Sequence, residues 1–146
     1  MRQSTLHFNR EILVGECGAL VLANIAAPVS GRLTENAAVI SGVAVAATLV
    51  GGGVSWLAAR IYDQKKQNTF NAKSLIGDIG YFTPGAVILG LLVYDPAIYL
   101  ISHALLVRGG AVWMSVGIGQ LTAFALFLVA LNGYRYLVLR TRGREL

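Results

Sequence analysis

Two short stretches carry carboxyl groups where the chain around them is otherwise apolar. "LVGECG" sets Glu16 between Gly15 and Gly18, and sixty-two positions later "LIGDIG" sets Asp78 between Gly77 and Gly80. Leucine and both glycines keep their spacing, isoleucine replaces valine, and aspartate replaces glutamate. From position 12 to 30 the only other group that ionises is the thiol of Cys17. A carboxyl partly withdrawn from water suits reversible protonation, and ionisable groups in membrane spans usually mark pathways, proton relays or paired sites. The bland alternative is an acid in the first turn of a helix, which the helix dipole favours by about 0.3–1 kcal/mol. Recurrence at equivalent positions argues for the functional reading.

The elements that must position these acids are membrane helices. The chain is 55% hydrophobic and 13% charged, against roughly 25% charged in soluble domains, with a mean hydropathy of +0.63. Apolar runs of about 20 residues cross a bilayer, and four are expected, over residues 12–30, 37–61, 74–93 and 111–139. They make a single transmembrane domain over 1–146. Glu16 interrupts the first run and no small-residue cleavage site follows it, so no cleavable leader is expected. Ten lysines and arginines flank the spans on the side of the N-terminal tail, the 62–73 loop and the C-terminal tail; only Arg32 and Arg108 lie opposite. Basic loops resist translocation, which predicts cytoplasmic termini. The net charge of +5 is then explained by topology and anionic lipid, and nucleic-acid binding is not expected. The lone cysteine forms no intramolecular disulfide and reads as a buried bystander.

Both acid motifs open an odd-numbered span on the cytoplasmic side, and the even-numbered spans close on "WLAARIY" and "GYRYLVLR", aromatic and basic anchors for helix ends. The expected fold is thus all-α: an integral membrane four-helix bundle of two tandem, parallel-repeat helical hairpins. Glu16 precedes Tyr62 by 46 residues and Asp78 precedes Tyr136 by 58, which leaves a twelve-residue excess in the second hairpin. "DPAIYLISHALL" is its natural home. Asp95 followed by Pro96 is a helix-start signal, and the repeat register makes residues 96–107 a short interfacial helix on the outer face. The competing register runs the third span from 85 to 107, which puts Asp95, Pro96 and His103 at membrane depth.

At 100° per residue, Ala19, Ala23 and Ala27 lie within about 60° of Glu16, so the carboxyl heads a stripe of small residues that begins at Gly15. Ala47, Gly51, Ser55 and Ala59 repeat the period on the second span. Small residues let membrane helices approach closely, and the triplet Gly51, Gly52 and Gly53 marks either close contact or a hinge. Asn24, Thr48, Gln120 and Thr122 could line a hydrated path or serve as interhelical hydrogen bonds. His7 and His103 are too far apart for a metal site. No Ser-His-Asp set, Walker loop or CxxC pair is present, so neither an enzyme nor a cofactor is expected.

"LIGDIGY" and the closures around Arg60–Tyr62 and Tyr134–Arg135 resemble the small bacterial L-alanine exporter family, with Asp78 on the family's aspartate and Glu16 in place of the first-span aspartate. The "LxG" openings and Asn132–Tyr134 are similar, more loosely, to the GtrA-type family of polyprenyl-sugar flippases. The first resemblance implies an inner-membrane exporter of a small metabolite such as an amino acid. Proton coupling through Glu16 and Asp78 is the expected mechanism, with Asn24 and Gln120 on the path. Four short helices enclose little volume, which predicts a homodimer or larger oligomer in contact with membrane lipid. The alternative is an accessory subunit of a larger membrane complex.

Overall fold

The computed structural model describes residues 3–66, 68, 71, 85 and 87–142, all-α and with no strand among them. Helix α1 covers Gln3–Leu33, α2 Ala37–Lys66, α3 Asp95–Val107 and α4 Val112–Arg142, and a π turn over Gly90–Tyr94 leads directly into α3. Asn9–Leu33, Ala37–Lys66, Val87–Val107 and Val112–Tyr134 are each long and apolar enough to cross a bilayer. The chain is a multi-pass membrane protein.

Of the first register's third span, 74–93, residues 74–84 and 86 lie outside the described residues; the described helix from Val87 to Val107 is compatible with the second register. Asp95, Pro96 and His103 lie within it, and residues 96–107 continue a helix already formed rather than starting a separate interfacial one. The reason is local. Proline lacks an N–H and its ring collides with the carbonyl four residues back, which ordinarily breaks a helix. Here the Asp95 N–H donates to the Gly90 carbonyl, five residues back, and this wider turn opens the ladder just before Pro96. Pro96 follows directly, in the first turn of α3, where the widened turn before it gives its ring room.

Tight turns join the helices. Asn36 caps α2, its Oδ1 accepting the N–H of Ala38 at 3.0 Å and that of Val39 at 3.4 Å. α3 ends in a Schellman motif, with Gly110 N–H donating to Leu105 O at 3.0 Å and Gly109 N–H to Leu106 O at 2.9 Å. Gly109 takes a positive φ of 82° there, open to glycine without strain.

Small residues hold the bundle. Ala19, Ala23 and Ala27 of α1 and Ala44 and Ala47 of α2 are buried, with Ile40 and Val116 closing one core cluster. Gly51 sits against Gly18: a Cβ on Gly51 would lie 2.9 Å from the Leu22 Cβ and 3.0 Å from the Gly18 carbonyl carbon. On the other side of the molecule Gly119 admits Ser102 and the Ile98 carbonyl, drawing α3 onto α4. In lipid it is such packing, rather than the hydrophobic effect, that joins helices. Outward faces carry Val21, Ile25, Val50, Leu92, Leu121 and Val129, all exposed to the hydrocarbon. Cys17 is exposed as well, not buried, because it lies 100° around α1 from Glu16.

Candidate functional site

Glu16 lies on the inward face of α1, 8% exposed, and its Oε2 accepts a hydrogen bond of 2.5 Å from the Tyr94 hydroxyl. That length is normal for an O–H donated to a carboxylate. Tyr94 ends the π turn, so the same wide turn that accommodates Pro96 also delivers the phenol to Glu16. Its ring packs tilted on Phe127 of α4, with centroids 5.5 Å apart, which fixes the hydroxyl's direction. Gln120 of α4, with no exposed surface, stands beside both Glu16 and Tyr94. Asp95 follows at 7% exposure, within electrostatic reach of the Tyr94 hydroxyl.

This group is under-satisfied. Glu16 Oε1, both carboxyl oxygens of Asp95 and both amide atoms of Gln120 are buried without a hydrogen bond of good geometry in the protein, although the Gln120 amide stands close enough to Glu16 and Tyr94 to interact with both. Buried polar groups are nearly always paired, and an orphan calls for a cause such as water, an ion or a ligand. The acids border a space that can hold one. A partly open cavity of about 460 Å³ lies between α1, α2, the π turn and α4, with Glu16, Tyr94 and Asp95 on one wall and Trp56, Phe124 and Phe127 among the others. Ligand sites typically fall between about 300 and 1,000 Å³ and combine apolar walls with a few polar groups. None of the described residues lining this cavity is Lys, Arg or His.

Further buried hydroxyls without partners lead away from the cavity: Ser102 on α3, Ser115 on α4 and Ser41 on α2. At 1.5 Å per residue, Gln120, Ser102 and Ser115 lie about 12, 8 and 4 Å below the ends of their helices at the α1–α2 turn side.

At the opposite end two acids are fully served. Arg60 Nη1 donates to both oxygens of Glu11 at 3.0 and 3.1 Å, and Arg10 pairs with Asp63. Both pairs tie α1 to α2.

The residues singled out in the sequence divide accordingly. Glu16 and Gln120 meet at the site. Gly15, Ala19, Gly52 and Gly53 line the cavity, whereas Ala23 and Gly51 belong to the helix packing. Asn24 is not among the cavity's lining residues; its amide donates to its own helix at Leu20 O, 2.9 Å away. Thr48 and Thr122 likewise donate to carbonyls four residues back, at 2.8 and 2.9 Å. α2 runs unbroken through Gly51–Gly53. Asp78 lies outside the described residues. Tyr94 and Asp95 were missed as site residues because "YDP" reads as a helix start beyond the membrane; an aromatic–acid pair within an otherwise apolar run was the available signal.

Comparison with models of known protein families, with curated proteins and with solved structures finds no match.

Proposed function

We propose that this protein is a small exporter whose substrate occupies the cavity beside Glu16 and leaves in exchange for a proton. The observation that carries the reading is a buried carboxyl at membrane depth, hydrogen-bonded by Tyr94, with unpartnered Asp95 and Gln120 at its side and an open cavity before it. A carboxylate in that setting needs a counter-charge. A proton supplies it in one state, and its release leaves a charged group that can attract substrate in the other. Among the described residues, the titratable groups at the cavity besides Glu16 are Tyr94, which hydrogen-bonds it, and Asp95, which lines the same space. The described residues of α2 and α4 on the cavity add none.

In this reading the basic residues orient both termini to the cytoplasm of a bacterial cell, and the resemblance to the alanine exporters adds small metabolites as cargo, the chemical class of which is set by the lining of the cavity. Asp78 is a second proton-binding candidate. The transport unit is a homodimer or larger, since one chain places only four spans around the cavity.

The test is efflux from cells loaded with radiolabelled small metabolites, with and without the protein, under an imposed proton gradient. Export driven by the gradient in the wild type and lost in Glu16→Gln is expected. Wild-type cells that export nothing, in a membrane where the protein always co-purifies with one large partner, would favour the accessory-subunit role instead.

A further inference from the structure

The cavity's chemistry narrows what it can hold, and here the inference rests on the exporter reading for its biological meaning but not for its physical basis. Two carboxyls more than nine-tenths buried stand at its wall, and three of their four oxygens have no partner. Apart from Thr48, whose hydroxyl donates to Ala44 O of its own helix, the rest of the lining is apolar or aromatic, with Trp56, Tyr94, Phe124 and Phe127 contributing rings, and no described lining residue is cationic. A ligand carboxylate or phosphate would enter beside two acids with no positive group to receive it. A neutral apolar ligand would leave the acid oxygens as unsatisfied as before. A cation with an apolar body meets both demands, because its charge pairs with the carboxyls while its body packs against ring faces.

We infer that the site binds monovalent organic cations, amines or quaternary ammonium ions bearing an apolar or aromatic group, in preference to zwitterions and neutral compounds. Glu16 and Asp95 supply the charge, and Trp56 with the phenylalanines supplies the wall. Binding of such a cation and protonation of Glu16 compete for the same negative charge, so the proposed exchange needs no second site.

The experiment uses the purified full chain in detergent, carrying Trp113→Phe so that Trp56 is the sole indole. Trp113 is 63% exposed and is not among the residues lining the cavity, so its loss leaves the site intact. Emission from Trp56 is titrated with three probes that share a benzyl group: benzyltrimethylammonium, benzyl alcohol and zwitterionic phenylalanine. The cation should bind saturably and at least about tenfold more tightly than either of the others. Glu16→Gln and Asp95→Asn should each weaken cation binding about tenfold while leaving the benzyl alcohol response unchanged, which also shows that each variant is folded. Equal affinity for the alcohol and the cation, or tighter binding of phenylalanine, overturns the inference in the wild type alone, whatever the variants do. Exchange of labelled benzyltrimethylammonium across proteoliposomes separates the two claims. Selective binding without exchange contradicts the exporter and leaves the cation site standing. Proton-driven flux of phenylalanine without cation selectivity does the reverse.

Discussion

Two neighbouring levels of the α1–α2 pair bury acids in opposite ways. Near the termini, Glu11 and Asp63 are almost completely covered, yet each meets an arginine from the facing helix. Five residues farther along α1, Glu16 is covered to a similar degree and, among the described residues, meets the Tyr94 phenol and the Gln120 amide but no base. A satisfied ion pair fixes how helices sit. An acid without a base is costly to the fold and persists where the charge has something to do. The same residue type, a few positions apart on one helix, is thus ion-paired at one level and set against a phenol and an amide at the next.

Breaking the satisfied level should produce the largest loss of stability. Arg60→Met leaves the Glu11 carboxylate buried without its partner, a change that costs about 3 kcal/mol at buried pairs. Thermal denaturation in detergent should show it as a clear drop in midpoint, and restoring neutrality with Glu11→Gln should recover part of it. No drop would mean that Glu11 is solvated where it stands. Gly51→Leu follows, at about 1–3 kcal/mol for overpacking, since even a Cβ would press on Leu22 and Gly18. If Gly51→Leu is as stable as wild type, α1 and α2 do not meet as described. The smallest effect belongs to Gly53→Ala. Gly53 is exposed, and a Cβ there would meet no atom within 4 Å, so alanine should be neutral or stabilise α2 by up to about 1 kcal/mol.

These contrasts also mark how far the sequence could be read. Four apolar runs, the inward direction of Glu16 and the alanine stripe follow from composition and helical period, and those are properties of single helices. The register of the third span did not follow, because Asp95–Pro96 is chemically a helix start and only the π turn before it lets the helix continue. That turn depends on what surrounds it. Tyr94 and Glu16 are 78 positions apart, and nothing local in either stretch announces the other. Arg10 and Arg60 counted as topology signals because flanking charges look alike in one dimension; their pairing with Asp63 and Glu11 needs the helices side by side. Gly18 was likewise passed over in favour of Gly15, although it is Gly18 that lies against Gly51.

The central claim is that Glu16 is the carboxyl that exchanges a proton. Infrared difference spectroscopy of the purified protein, stepped through pH, reads the carbonyl stretch of a protonated carboxyl directly and needs no substrate. The account predicts a reversible band that disappears in Glu16→Gln and survives in Glu11→Gln, with the helical amide signal unchanged in both. A band that persists in Glu16→Gln, or none that titrates in the wild type, would contradict it.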